Sequence, residues 1–76
     1  MEDREDRLLR LAEVRTRTAL TRSSIYAYMA TGAFPQAINI GPRSVAWIES
    51  DVAAWVAQRI AGHRRARRNG EAVANG

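Results

Sequence analysis

The chain has 76 residues, with 12 arginines and no lysine against eight acidic residues, a formal net charge of +4 and no cysteine. A chain of this length buries about 60% of its unfolded surface, which leaves room for one compact core and excludes a two-domain enzyme built around a roofed cleft. The absence of cysteine excludes disulfides, thiolate metal ligands and iron–sulfur clusters. The single histidine, His63, excludes a histidine-built metal site within one chain. No cofactor or metal is therefore expected.

The charge is unevenly distributed along the chain. Residues 1–6 hold four acidic residues and one arginine, whereas residues 59–76 hold five arginines and one glutamate. A basic body with a basic tail indicates a polyanionic partner, nucleic acid first, although the codon bias of GC-rich genomes also produces arginine-rich chains. The charged start predicts no secretory signal, and apolar runs such as Val52–Ala57 are too short to span a membrane. A protein inside the cell, without a membrane partner, is expected.

The first helix is predicted over Leu11–Thr18. Leu11 and Val14 are three residues apart and therefore share a face, but the helix is so short that tertiary packing must hold it. The apolar patch just before it, at Leu8 and Leu9, is either a brief strand or the entry to this helix.

A second helix is predicted from Arg22 to about Thr31, with the Thr21 hydroxyl as its N-cap. Gly32 suits the position after the helix, where a positive φ is needed, and Pro35 prevents the helix from continuing. Its two faces differ in polarity. The predicted inner face carries Ile25, Tyr28 and Met29, and the predicted outer face carries Ser23, Tyr26, Ala27 and Ala30.

Only residues 19–21 separate the two helices, and Leu20 in so tight a joint is typical of a helix-turn-helix, in which it fills the angle between the helices. A two-stranded hairpin follows. Ala37–Ile40 and Ser44–Ile48 are rich in β-branched and aromatic residues, and the Gly-Pro turn at 41–43 joins them.

A third helix is predicted from Ser50, which is expected to be its N-cap, with Asp51 favoured by the positive end of the helix dipole. Gly62 is expected to end this helix, so that residues 62–76 form a basic, disordered tail. The arginine cluster at 64–68 is either part of this disordered tail or a flexible clamp for phosphates. The third helix has a 3.6-residue apolar period that predicts an inward face. The predicted core consists of Ile25, Met29, Val45, Trp47, Val52, Trp55, Val56 and Ile60.

Helix, turn, helix, hairpin and helix in this order describe a winged helix-turn-helix, mainly α with a small β-hairpin. It is predicted over residues 8–61, after an acidic flexible lead at 1–7. The chain resembles the AlpA family of prophage regulatory proteins, relatives of phage excisionases with a MerR-like DNA-binding domain, over roughly residues 9–60. The resemblance rests on an ordered set of motifs: Leu20–Tyr26, Gly32–Pro35, Gly41–Trp47, Glu49–Val52 and Ala54–Trp55.

The resemblance implies a bacterial, cytoplasmic, nucleoid-associated regulator that binds a specific sequence of double-stranded DNA in a prophage or another integrated element. In helix-turn-helix proteins the second helix lies in the major groove and its first residues contact base edges. Arg22 suits a guanine edge or a phosphate, Tyr26 a phosphate or a thymine methyl, and Arg43 at the hairpin tip the adjacent minor groove. The predicted DNA-binding residues are Arg15, Arg17, Thr21, Arg22, Ser23, Ser24, Tyr26, Ala27, Arg43 and Ser44.

Two alternatives stay open at this point. One is an excisionase-type architectural factor, and the other is an adaptor whose tryptophan-bearing third helix docks an integrase or RNA polymerase. A homodimer or a cooperative array on DNA is compatible with either, although no dimer seam is visible in the sequence. An enzyme is not expected, because a helix start explains the carboxylates of Glu49 and Asp51.

Overall fold

A computed structural model describes residues 6–68, which form three helices and three short strands. The mainly helical architecture with a small hairpin confirms the predicted winged helix-turn-helix. No helix within this range is long and apolar enough to cross a bilayer. The elements are β1 (Leu8–Leu9), α1 (Leu11–Thr18), α2 (Arg22–Ala30), β2 (Ile38–Gly41), β3 (Ser44–Ile48) and α3 (Glu49–Arg68).

The strands form one antiparallel sheet in which β3 lies between β1 and β2. Leu9 lies opposite Trp47 and both are fully buried, whereas Leu8 lies opposite Ile48 and is 48% exposed. Because side chains alternate between the faces of a strand, the face with Leu9 and Trp47 covers the core. The leucine patch is therefore a strand, which decides between the two alternatives that its sequence left open.

A cluster of buried apolar side chains joins each helix to the sheet. The two short helices contribute one fully buried residue each, Val14 from α1 and Ile25 from α2. Helices of eight and nine residues are not stable in water by themselves, so this packing holds them. Burial of such a side chain contributes roughly 1.5–3 kcal/mol. The cluster consists of Leu9, Val14, Ile25, Phe34, Trp47 and Val52.

The joint between α1 and α2 has the predicted helix-turn-helix form. Ala19, with φ 63°, ends α1 in the left-handed region, and Leu20 then packs half-buried against the core. Thr21 is the N-cap of α2, because its hydroxyl accepts the backbone N–H of Ser24 at 3.1 Å. α2 ends one residue earlier than predicted, and Gly32 has the predicted positive φ, at 81°.

The start of α3 corrects one prediction. The helix begins at Glu49, whose N–H donates to the Arg7 carbonyl at 2.8 Å, so Ser50 is not the N-cap. Instead, Ser50 donates both its backbone N–H, at 3.2 Å, and its hydroxyl, at 2.9 Å, to the carboxylate of Asp6. Pairing of β1 with β3 brings this carboxylate to the helix start, where the helix dipole favours a negative charge.

The end of α3 corrects a second prediction. The helix continues through Gly62 to Arg68, because glycine in a helix interior costs only about 1 kcal/mol and does not force an end. Residues 62–68, predicted to belong to a disordered tail, are therefore helical. Residues 69–76 of that tail and residues 1–5 of the predicted lead lie outside the described residues.

The predicted core along α3 is correct only in its first part. Val52 is fully buried and Trp55 packs half-buried against the core, but Ile60 is 45% exposed, so its assignment to the core is wrong. Val56 is half-buried. The apolar period of the sequence continues beyond the point at which the other elements can cover the helix.

Candidate nucleic-acid interface

The start of α2 combines a side-chain cap with free backbone donors. Thr21 accepts the N–H of Ser24 and donates its own hydroxyl to the Ser24 Oγ at 3.1 Å, so these two side chains are engaged with each other. The backbone N–H groups of Arg22 and Ser23 donate to no acceptor among residues 6–68. Unsatisfied N–H groups at a helix N-terminus, together with the helix dipole, favour an anion such as a phosphate.

The outer face of α2 is uncovered, as its sequence predicts. Ser23, Ala27 and Ala30 are exposed, and Tyr26 is 38% exposed. The reason is the opposite face, where Ile25 is fully buried in the core. The packed inner face therefore holds in place an outer face of small and polar side chains that a partner can approach closely.

Arg22 and Tyr26 form a stack that rests on the core. The Arg22 guanidinium carbon lies 5.5 Å from the centre of the Tyr26 ring. The Tyr26 ring in turn makes an edge contact with the buried Trp47, with ring centres 6.2 Å apart and an interplanar angle of 72°. Contacts of both kinds are attractive and restrict side-chain freedom. The hairpin strand β3 thus positions two predicted site residues of α2.

The structure separates the two predicted arginines of α1. Arg15 is exposed and lines a shallow hollow beside the helix joint, together with Leu20 and Thr21. Arg17 donates instead to Glu49 of α3 at 2.7 Å and to Glu13 at 3.3 Å. The hydrogen bond to Glu49 raises the pKa of Arg17 above its ordinary value, and Glu13 adds to this effect. The charge of Arg17 is therefore compensated within the protein.

The tip of the hairpin presents Arg43 in a costly conformation. Its φ is 58°, in the left-handed region that disfavours residues with a Cβ, and its side chain is exposed. Ser44 is half-buried, and its hydroxyl donates to the Pro42 carbonyl at 3.3 Å. Strained backbone persists where the surrounding structure enforces it and is frequent at binding sites.

Ion pairing divides the arginines of residues 6–68 into two groups. Glu13 and Glu49 face Arg7 and Arg17, at 2.7–3.9 Å. Three arginines at the start of α2 and around it have no carboxylate of this part of the chain within 4 Å. These are Arg15 and Arg22 beside the joint and Arg43 at the hairpin tip. The surface around the start of α2 therefore carries three positive charges that no carboxylate of residues 6–68 compensates.

Two side chains pack against α2 in ways that are not visible in the sequence. Trp47 looks like a core residue and is one, but it also supports Tyr26, across two elements that are distant in sequence. Arg59 looks like one position of an apolar stripe, yet its guanidinium carbon lies 4.6 Å from the Trp55 ring centre and 5.6 Å from that of Tyr28. A local pattern carries no information about either contact.

Residues 6–68 contain no group of three or more metal-ligating side chains placed to hold a metal ion. The Glu49 carboxylate, a conceivable acid–base group, is held by Arg17 and lies 3.9 Å from Arg7. Its position is explained by these ion pairs, which tie the start of α3 to α1 and β1.

Comparison with known proteins identifies a family and two relatives. A family model described as prophage CP4-57 regulatory protein (AlpA) matches residues 7–60. An uncharacterized protein, ORF88, of Enterobacteria phage P4 is 44% identical over 61 residues, which covers 80% of this chain and 69% of the relative. The DNA-binding transcriptional activator AlpA of Escherichia coli K12 is 34% identical over 59 residues, which covers 70% of this chain and 84% of the relative. No solved structure matches significantly.

Proposed function

The chain belongs to the AlpA family of prophage regulatory proteins, and we propose that it recognises a specific sequence of double-stranded DNA with α2 in the major groove and the β2–β3 hairpin on the adjacent groove. The family is one of DNA-binding transcriptional regulators. The proposal adds the surface that contacts DNA. It also assigns the protein to genes of a prophage or another integrated element, and to the nucleoid in the bacterial cytoplasm.

The observation that carries the proposal is the uncovered outer face of α2. An α-helix with its side chains is about 10–12 Å in diameter, and the major groove is about 12 Å wide, so the nine-residue α2 can enter it. Its inner side is fixed by the buried Ile25, while Ser23 and Ala27 on its outer side are small enough for close approach to a groove floor. A rigid helix with an open polar face is what reading base edges requires.

Each exposed side chain at the start of α2 has a suitable partner in DNA. The Arg22 guanidinium can donate two hydrogen bonds to O6 and N7 of guanine. Tyr26 offers a hydroxyl for phosphate and ring area for a thymine methyl, and Ser23 can bond either a base or a phosphate. The stack of Arg22 on Tyr26 places the two side chains together, so they should contact neighbouring base pairs.

Contacts with the DNA backbone supply most of the affinity in this proposal. The free N–H groups at the start of α2 suit one phosphate, and Arg15 suits the flanking strand. Arg43 at the hairpin tip suits the adjacent minor groove, whose negative potential attracts arginine. Each phosphate that an arginine neutralises adds about −0.9 to the slope of log affinity against log salt, so Arg15, Arg22 and Arg43 together contribute up to about −2.7.

The experiment starts from the unmodified protein and a library of random duplexes, from which the preferred site is selected and footprinted. Binding of Arg22→Ala to the selected duplex is then measured by fluorescence anisotropy. Loss of a bidentate contact with guanine should weaken binding by about 1–3 kcal/mol, or 5- to 150-fold, and relax selectivity at one base pair.

The matched control is Arg10→Ala, which also removes one arginine charge from an exposed position. Arg10 precedes the N-terminal end of α1, whereas α2 follows its C-terminal end. This variant should change affinity by less than the Arg22 variant and leave selectivity unchanged. If selection yields no preferred sequence, or if both variants lose affinity equally, α2 does not read bases and the proposal is refuted.

An excisionase-type role would use the same DNA-binding surface but would change the shape of the DNA. An architectural factor bends its site, whereas a local regulator need not do so. Mobility of complexes on fragments that carry the site at different positions measures this bend directly. A bend together with integrase-dependent excision in a reconstituted reaction would assign the architectural role.

Recruitment of an integrase or RNA polymerase is favoured by one observation: Ile60 on α3 is a large apolar side chain that is 45% exposed. Ile60→Ser should leave DNA binding unchanged and lower transcription or excision if this face docks a partner. The spacing of repeats in the footprint, with the mass of the complex, distinguishes a monomer from a homodimer or an array.

A further inference from the structure

The second half of α3 has little to do with folding. α3 spans 20 residues, about 30 Å, but its contribution to the core cluster is limited to Val52 and Trp55. Its last nine residues, 60–68, which we call the basic arm, are exposed apart from the half-buried Gly62 and Ala66. The matched family region ends at residue 60, where the arm begins.

The charged side chains of the basic arm all have the same sign. It carries Arg64, Arg65, Arg67 and Arg68, and residues 52–68 contain no acidic residue. Arg64 and Arg68 are four residues apart and therefore neighbours on one face, where like charges repel. The negative end of the helix dipole favours these cations, but it compensates about half a charge. A bound polyanion would remove the remaining repulsion.

The base of the arm is fixed to the end of α2. Arg59 stacks over both Trp55 and Tyr28, and the Trp55 indole N–H donates to the Ala33 carbonyl at 2.8 Å. The Trp55 ring also makes an edge contact with Phe34, with ring centres 5.0 Å apart. These contacts hold α3 against the C-terminal end of the helix proposed to lie in the major groove, so the arm has a defined point of departure.

We propose that the basic arm is a second, helical phosphate-binding site, which grips the DNA backbone beyond the groove occupied by α2. This inference rests on the proposed function. Arg64 to Arg68 lie five to nine residues beyond Arg59, or about 8–14 Å along the axis. That distance is comparable to the width of the major groove, about 12 Å, and the duplex carries a charge every 1.7 Å. The arm is therefore long enough to reach phosphates flanking the groove.

The chemistry favours a duplex over the other polyanions. Guanidinium groups bind phosphate oxygens bidentately, and all four cations of the arm are arginines. A helix that lies on a membrane needs a broad apolar face with large side chains, but the arm offers Ile60 as its one large apolar residue. The neighbouring α2 surface already supplies a reason for DNA to be present.

The test compares the double variant Arg64→Gln/Arg68→Gln with the unmodified protein on two duplexes. The longer duplex carries the selected site with about 10 additional base pairs on each side, enough for the arm to contact flanking phosphates, and the shorter one is trimmed to the α2–hairpin footprint. Two lost phosphate contacts should weaken binding to the longer duplex about 60-fold at 0.1 M salt and flatten the salt slope by about 1.8. The ratio of specific to non-specific affinity should stay constant, because the arm reads no bases. Arg68→Gln and Arg10→Gln are the charge-matched single variants.

A second pair of variants keeps every charge and changes only the backbone. Ala61→Pro breaks the helix before the arginines, whereas Gly62→Ala strengthens it, and a Cβ at position 62 meets no atom closer than Arg65 Nη2, at 4.0 Å. Ala61→Pro should weaken binding to the longer duplex severalfold, and Gly62→Ala should match or exceed the unmodified protein. Equal binding by Ala61→Pro overturns the helical arm.

The Arg22 and Arg64/Arg68 variants distinguish failure of the basic arm from failure of α2 as the reading helix. If Arg22→Ala relaxes selectivity at one base pair while Arg64→Gln/Arg68→Gln binds both duplexes like the unmodified protein, the arm is refuted and α2 is not. If the arm variant loses affinity and Arg22→Ala retains selectivity, the arm is upheld as a phosphate site and α2 is refuted as the reading helix.

Discussion

Arg17 and Arg22 lie on consecutive helices, but the fold puts them in opposite surroundings. Arg17 is held by Glu49 and Glu13 where α1, β1 and α3 meet, and its charge is compensated there. Arg22 stacks on Tyr26 at the start of α2 and faces no carboxylate among residues 6–68. The contrast teaches that positive charge alone does not indicate a nucleic-acid contact. The indicator is an arginine that has no protein anion beside it and that lies next to the exposed outer face of α2.

The variant with the largest expected effect tests whether the surface around Arg22 and Tyr26 depends on the core beneath it. Trp47→Ala removes a fully buried side chain and should destabilise the fold by about 3–5 kcal/mol, enough to unfold so small a domain at ambient temperature. Thermal unfolding followed by circular dichroism measures this.

The matched variant for that prediction is Trp47→Phe. The indole N–H of Trp47 has no acceptor among residues 6–68, so its removal leaves no partner unpaired. Trp47→Phe should therefore cost less than Trp47→Ala and stay folded. A folded Trp47→Phe that binds DNA more weakly would show that Tyr26 needs the full ring behind it, whereas a Trp47→Ala variant as stable as the unmodified protein would contradict the assigned core.

The next prediction compares the Arg22 and Arg17 variants in DNA affinity and in thermal stability. Arg22→Ala should lower DNA affinity by about 1–3 kcal/mol with little change in the melting temperature. Arg17→Ala should do the reverse, with a lower melting temperature, because Glu49 and Glu13 lose their closest partner, and an affinity near that of Arg10→Ala. Equal losses of affinity in the Arg17 and Arg22 variants would show that their different surroundings have no functional consequence.

The smallest expected effect concerns the hairpin tip. Arg43→Gly relieves a left-handed backbone and should stabilise the fold by about 1 kcal/mol, while removing the guanidinium should weaken DNA binding. Arg43→Ala is the control, since it removes the charge and keeps the strain. If both variants bind DNA like the unmodified protein, the tip does not contact the duplex.

Local signals in the sequence were enough to find the elements of the helix-turn-helix and the hairpin. Thr21 caps α2, Gly32 has the expected positive φ, and Ile25 is buried, because capping, backbone freedom and a 3.6-residue period each depend on neighbouring residues. The exposure of the α2 outer face follows from that same period. Contact of this face with DNA stays a prediction.

The same reasoning failed at both ends of α3. Ser50 looked like a cap but is the second residue of the helix, with Asp6 as acceptor, and Gly62 looked like an end but lies within it. Ile60 continued the apolar stripe of the sequence but is 45% exposed. A helix boundary is a weak local preference, which a distant acceptor or a continued helix overrides.

The sequence by itself therefore determined the order of the elements, the two faces of α2 and the net positive charge, because each is a property of short stretches of chain. Tertiary structure alone decided which arginines are compensated and which are free. Pairing of β1 with β3 carries Asp6 and Arg7 to the start of α3, and packing of α1 against α3 brings Arg17 to Glu49. Such partners lie far apart along the chain, and electrostatic compensation depends on distance in space.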